Sequence, residues 1–239
     1  MSIVNEAGEK GKTRVASGVG VLDKAVGILA LLAEEGPTGL TGIVEATGIP
    51  RPTAHRLLSA LEVHHLVARD NGRYKLGLRL LGWGEVAAAG TNLVEAARPV
   101  LEGLRDETGE SVQLYVREGD RRVCVAAVER AGGGLRDMVP VGSVLPLDQG
   151  SGGKVLLAWS EGGDAAELEE IRQRGWAESV AERESGVASV SAPVFGASGE
   201  VRAAVCVSGP VSRLGESPGA LLSERVVAAA QEVTASSGS

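Results

Sequence analysis

The chain has 239 residues, a formal net charge of −7, and 44% hydrophobic but only 3% aromatic residues. That length suits two modest domains, with cores built from Val, Leu, Ala and Ile rather than from rings. The acidic balance excludes a protein coated in basic surface. No run is apolar and long enough to span a membrane, and no secretory signal is read at the start. Charge is uneven, however: residues 1–90 carry net +1 and residues 91–239 net −8. An acidic body repels nonspecific nucleic acid and leaves any such contact to the N-terminal third.

Residues 1–17 are polar and Gly-rich and are expected to be mobile. Leu22, Val26, Leu29 and Ala33 then mark an amphipathic helix. From Gly36 to Arg79 the chain reads as a short helix, a turn, a second helix and a two-stranded wing. Leu40, Ile43 and Val44 form one apolar face, and Gly48 is a natural left-handed stop. Pro52 suits the start of the next helix, where its missing N–H costs nothing. Ala54, Leu57, Leu58 and Leu61 are its buried stripe. Pro52, His55, Arg56 and Ser59 lie opposite, as groove-facing positions if this is a recognition helix. Asn71-Gly72, between the strands Leu66–Arg69 and Arg73–Leu76, favours a type I′ hairpin. The pairing puts Arg73 and Lys75 on one face, suited to phosphates. A winged helix can also dock a protein, and two cations on a strand can be merely solvated.

Residues 79–91 read as a linker helix weakened by glycines. A helix over 92–108 buries Leu93, Ala97, Val100, Leu101 and Leu104. Val112, Leu114 and Val116 alternate as in a half-buried strand, and 122–128 is apolar throughout, as in a central strand. Helices are expected near 153–159 and 164–174. Residues 186–194 and 201–209 read as an antiparallel pair, followed by a helix over 221–234 and a frayed end at Ala235–Ser239. The mixture, without strict alternation, is α+β around an antiparallel sheet. The domains expected are a winged helix over 18–78, the linker helix, and a second domain over 92–235.

This second domain has few routes to catalysis. All three histidines (His55, His64, His65) lie in the winged-helix region, so no imidazole is available to a Ser or Cys nucleophile there. Their spacing is not that of a zinc site. Cys124 and Cys206 sit in apolar strand-like runs and read as buried reduced thiols, which suits the cytoplasm. Gly150-Ser151-Gly152-Gly153-Lys154 fails the phosphate-loop pattern, because Asp148 and Val155 stand where Gly and Ser/Thr are needed. A Gly-rich loop opening a helix still presents N–H groups to a small carboxylate, or is a plain turn. Val187, Ser189 and Ser191 share a strand face, as do Cys206 and Ser208. Small polar groups on a Val/Ala sheet leave room and donors for a small molecule, unless they are only small core residues. No catalytic residue, metal or cofactor is assigned.

The order of segments resembles the IclR family of bacterial transcription regulators from about Ser17 to Leu222. The match rests on RPTAHRLLSALEVHHLV, RYKLGLRLL, VPVGSVLPL, SGGKVLLAW, ERESGVASVSAPV and VCVSGP. GVGVLDKAVGIL, DETGESVQLY and AERESGVASVSAPV look closest to actinobacterial regulators of leucine and other amino-acid metabolism. The resemblance implies a homodimer or dimer of dimers held by the N-terminal modules. It also implies a GAF/PAS-like C-terminal domain that binds a small metabolite, here a small amino acid or keto acid. The double-stranded operator DNA would meet Arg51, Thr53, His55, Arg56 and Ser59, with Arg73 and Lys75 on phosphates. The effector would meet the amides of Ser151 and Gly152, with Leu145, Leu147, Ser179, Val187, Ser189, Cys206 and Ser208. The chain departs from the usual family pattern in the loop DQGSGGK and at Ser179, where an acidic residue often stands. Two other classes stay open: a winged helix that docks a protein partner, and a small-molecule enzyme with an appended winged helix.

Overall fold

The computed structural model describes residues 17–89, 92–130, 139–160 and 166–237. The segment expected to be mobile therefore lies, apart from Ser17, outside the described residues. The chain divides into two compact units between Ala87 and Ala88. Among the described residues no helix is long and apolar enough to cross a membrane.

The first unit holds α1 (Gly20–Glu35), β1 (Thr38–Gly39), α2 (Leu40–Thr47), α3 (Arg51–Val63), β2 (Val67–Asp70) and β3 (Arg73–Leu76). Its core is Ile28, Leu32, Ile43, Ile49, Ala54, Leu58, Leu61, Val67 and Tyr74. The turn between α2 and α3 follows from local chemistry. Gly48 takes φ 67° and its N–H closes on the Val44 carbonyl, ending α2, and Pro50 and Pro52 flank the start of α3, with Arg51 first and Pro52 second. Asn71 and Gly72 both have positive φ and join Asp70 to Arg73 as a two-residue loop. The sheet has three strands rather than two, because Thr38 and Gly39 pair with Tyr74 and Arg73. A two-residue strand carries no periodicity and cannot be read in advance. Gly77 is obligatory: a Cβ there would lie 2.0 Å from the His65 carbonyl oxygen.

The stripe expected on α1 holds only at Leu29, which packs against this core; Leu22, Val26 and Ala33 lie outside it. Ile28 and Leu32 are the buried pair, whereas Leu22 and Val26 are more than half exposed. Both sets repeat at helical spacing, so periodicity alone could not choose the inward face.

Helix α4 (Arg79–Ala89) spans the boundary between the units. The second unit then runs α5 (Asn92–Thr108), β4 (Ser111–Glu118), β5 (Arg121–Val128), β6 (Val144–Pro146), α6 (Ser151–Ala158), α7 (Ala166–Arg174), β7 (Ala177–Val180), β8 (Val187–Phe195), β9 (Val201–Pro210), α8 (Val211–Leu214) and α9 (Pro218–Ser237). Six strands form one antiparallel sheet in the order β6-β5-β4-β9-β8-β7. One face packs on α5 and α9 through Val112, Leu114, Val190, Val205 and Val207. The other packs on α6 and α7 through Tyr115, Cys124, Leu147, Val155 and Ile171.

Covering both faces corrects the reading of β4. Gln113 and Tyr115 are as buried as Val112 and Leu114, so the strand is central rather than half-exposed. Edge strands β6 and β7 were not foreseen, being only three and four residues long. Helix α9 holds its helical form to Ser237, so Ala235–Ser237 are not frayed. An ion pair between an exposed arginine and a buried carboxylate pins the start of β4 to α8: Arg213 grips both carboxylate oxygens of Glu110. That grip holds the arginine above its usual pKa range.

Candidate DNA interface and ligand pocket

Two sites are built in opposite ways. In the first unit, burial of Ala54, Leu58 and Leu61 turns the rest of α3 outward. Arg51, His55, Arg56 and Ser59 are exposed along that side, and Thr53 is half-buried at its edge. Arg51 also donates to Thr41 Oγ1 at 3.3 Å, tying the starts of α2 and α3 together. In the wing, the register puts Asp70 opposite Arg73 and Ala68 opposite Lys75. Lys75 pairs with Asp70 at 3.2 Å, an exposed contact weak enough for a phosphate to displace. On the other face Arg69 lies over the Tyr74 ring, 5.4 Å from its centroid. The structure thus brings all seven expected side chains to the surface of one unit, and adds Asp70 as a local brake on the wing's positive charge.

The second site lies on the α6 face of the sheet. Ser189 stands opposite Ser208, and Ser191 opposite Cys206, so the two faces anticipated from sequence become one. Helix α6 begins against them. Ser151 Oγ lies 2.7 Å from Ser189 Oγ, 2.8 Å from Ser191 Oγ and 3.8 Å from Cys206 Sγ. A pocket forms there, and Ser151, Gly152, Ser179, Val187, Ser189, Cys206 and Ser208 all line it. Gly152 lets α6 approach closely, since a Cβ there would sit 3.0 Å from the Tyr115 ring and the ring would have to give way. Gly153 lets α6 seat on the chain before it, because a Cβ would come within 2.1 Å of the Leu147 carbonyl oxygen.

Leu145 and Leu147 do not line the pocket. Leu145 lies on edge strand β6 opposite Arg122, and Leu147 is packed into the core under α6. The sequence reading missed Tyr115, Arg122, Gly150, Arg183 and Glu184, which do line it. Arg122 was hidden because residues 122–128 read as uniformly apolar. A bulge explains its position: the register shifts after Leu114, so Tyr115 faces Cys124 and Arg117 faces Arg122. The extra residue reverses the alternation of β5 and turns Arg122 and Cys124 toward the pocket side.

Arg122 is only 3% exposed, lies over the Tyr115 ring at 5.1 Å and donates to the Gln149 carbonyl. Burial pushes the Tyr115 hydroxyl well above its usual range, the neighbouring thiols adding to this and the arginines opposing it. Tyr115 therefore stays a neutral donor. Burial pushes the Cys124 thiol up to about 12, which makes it an inert core thiol. Glu182 accepts from the Gly150 N–H at 3.1 Å and pairs with Lys154 at 2.5 Å. Lys154 also pairs with Glu167 at 2.7 Å. Burial works against the charge on Lys154, but the two carboxylates hold it above its usual range.

Chemically the pocket offers hydroxyl donors, two guanidinium groups and the N–H groups of Ser151 and Gly152 at the start of α6, beside one carboxylate, Glu184; the next two N–H groups, of Gly153 and Lys154, already donate to the Gly150 carbonyl. That set suits a small anion. The Ser151 hydroxyl meets two hydroxyls and a thiol, with no general base among these contacts.

Residues 21–71 match the family described as "IclR helix-turn-helix domain", and residues 86–166 and 163–235 match "Bacterial transcriptional regulator IclR C-terminal". The chain is 28% identical over 245 residues to the HTH-type transcriptional regulator BhcR of Paracoccus denitrificans, covering 92% of this chain and 88% of the relative. It is 32% identical over 225 residues to the glycerol operon regulatory protein of Streptomyces griseus, covering 84% and 88%. Among solved structures, the IclR protein of Thermotoga maritima superposes with a TM-score of 0.73 at 24% identity, over 92% of this chain and 99% of that one. An IclR-type regulator from Alicyclobacillus acidocaldarius gives 0.69 at 26% identity, over 92% and 99%. With both family regions present in order on a helix-turn-helix unit and an antiparallel-sheet unit, the chain belongs to the IclR family of DNA-binding transcription regulators.

Proposed function

We propose that this regulator binds a palindromic operator as a homodimer or dimer of dimers, under control of a small amino acid or keto acid held in the C-terminal pocket. Its targets on this reading are genes of amino-acid metabolism, and its place of work is the cytoplasm. The working parts are the winged helix (18–78), the linker helix (79–91) and the effector-binding domain (92–235). The narrower sequence likeness, in GVGVLDKAVGIL and AERESGVASVSAPV, is what favours amino-acid metabolism. The single observation that carries DNA reading is the outward side of α3, where Arg51, His55, Arg56 and Ser59 stand exposed in the same unit as wing cations Arg73 and Lys75. Thr53 borders that side.

Self-association is supported by apolar side chains that the first unit leaves outside. Val19, Val21, Leu22 and Val26 on and before α1, and Leu78, Leu81, Trp83 and Val86 on and before α4, are all more than half exposed. Paired modules would read the two halves of an operator. An effector would act by favouring one spacing of the two modules, which requires different affinity for the two states.

The test is a mobility shift at near-physiological salt with excess competitor, on DNA upstream of the protein's own gene and its neighbours, with and without branched-chain amino acids. A specific shift that changes with ligand is expected. Arg56→Ala should weaken the specific complex about tenfold or more, the scale of one lost base contact, while sedimentation shows the assembly intact. Unchanged affinity would remove Arg56 from the interface, and no shift on any fragment would favour a protein partner for the winged helix.

A further inference from the structure

The pocket around Ser151 has a cavity volume of only about 20 Å³. A single water needs roughly 10–15 Å³ on that measure, so this space accepts a head group and little more. A second compartment lies along the same sheet face. It has a cavity volume of about 230 Å³ and is lined by Ser111, Gln113, Val139, Pro140 and Val141 among others.

The two compartments share a wall. Ser208, which lines the first, donates to Gln113 Oε1 at 3.1 Å, and Gln113 lines the second. The strand register makes the connection continuous. Ser179 stands opposite Ser189, Ser189 opposite Ser208, and Ser208 opposite Ser111. Four serines thus cross four adjacent strands in one row, a span of about 14 Å at the usual strand spacing. Three of them line the first compartment and the fourth lines the second.

The second compartment differs in chemistry from the first. Ser111 Oγ accepts the Arg130 N–H at 3.2 Å, which leaves its own proton to donate. Gln113 Oε1 is taken by Ser208, which leaves the amide N–H groups as what Gln113 can offer. The rest of the described wall is largely Val and Pro. Such a wall leaves a second charge poorly solvated and welcomes a neutral acceptor flanked by methylenes.

We propose that this compartment is a second subsite of the ligand pocket, and that it takes the uncharged, hydrogen-bond-accepting tail of an extended acid whose carboxylate lies among Arg122, Arg183 and the serines. This rests on the reading of the first compartment as an acid site. The amino or keto acid of the proposed function is then one whose chain extends beyond the head group, and its tail sets specificity through Ser111 and Gln113.

Calorimetric titration of the full chain tests this with butanoate, 4-acetamidobutanoate and adipate, which share one carboxylate end. The acetamido acid is expected to bind at least tenfold more tightly than butanoate, and adipate to show no such gain. Val141→Trp fills the compartment from its rim, and Val141 is 61% exposed, so the change does not disturb the core. It should bring the ratio of the acetamido acid to butanoate close to one. Butanoate binding with no gain for the acetamido acid, a gain that survives Val141→Trp, or a preference for adipate would overturn the second subsite while leaving the first as an acid site. If none of the three acids binds at millimolar concentration, the acid-site reading fails and the subsite fails with it.

Discussion

The two units carry their functional side chains on opposite sides of their own surfaces. The winged unit buries an apolar stripe and presents Arg51, His55, Arg56, Arg73 and Lys75 to the outside. The C-terminal unit turns Ser151, Ser189, Ser191, Cys206 and Ser208 inward, against α6. The difference teaches where stability and function are separable. An exposed side chain of α3 or the wing can be changed with little effect on packing, whereas a pocket side chain is also part of a core. Within the C-terminal unit the separation reappears across the sheet: the α5–α9 face is packed mainly with Val, Leu and Ala, with Trp176 against them, and the α6 face mixes aliphatic residues with hydroxyls, a guanidinium and thiols.

The strongest way to break this contrast is Gly153→Ala. The added methyl meets the Leu147 backbone carbonyl, which has no rotamer by which to yield. Overpacking of this kind costs about 1–3 kcal/mol or more. Urea denaturation should show the loss, and ligand response should fall with it. A variant of normal stability would show that α6 can shift freely, and that the pocket is not held as tightly as its contacts imply.

A smaller effect should appear at high pH. Burial pushes the Cys124 thiol in the folded protein up to about 12, from an ordinary value of 9.0. A raised folded pKa means that the native state keeps its proton while the unfolded state loses it. Stability is then fully retained below about pH 9 and declines as pH rises toward 12. Cys124→Ala should flatten the stability profile between pH 9 and 11, whatever its cost at neutral pH. Equal slopes for wild type and variant would show that the thiol is more accessible than its burial suggests.

The smallest stability effect should come from the wing. Arg73→Gln, at an exposed position, should leave unfolding free energy within about 0.5 kcal/mol. It should lower the slope of log affinity against log salt by about one, the signature of one lost phosphate contact. A large loss of stability, or an unchanged slope, would blur the contrast between the two units.

Much of the winged unit was legible because its signals are local. The Gly48 stop, the prolines before α3 and Asn71-Gly72 each dictate backbone within a few residues. The buried stripe of α3 assigns its outer side by subtraction. The pocket was legible only where two long strands pair in a simple register, which aligned Ser189 with Ser208 and Ser191 with Cys206. Leu145 and Leu147 were misplaced because β6 is an edge strand too short to announce itself. Tyr115 and Arg122 were missed because a bulge reversed the alternation on which the reading of β5 depended.

The helix-turn-helix, the hairpin, the α+β class and the lack of any imidazole in the C-terminal unit are written in residue order and inventory. They follow from glycine and proline conformation, from hydrophobic spacing and from residue type, none of which needs a distant partner. Which face of α1 turns inward, the covering of β4 on both sides and the entry of Arg122 into the pocket emerge only once the chain is packed. Each depends on what packs from far along the chain, and a periodic pattern with two equivalent faces carries no information about which one meets a neighbour.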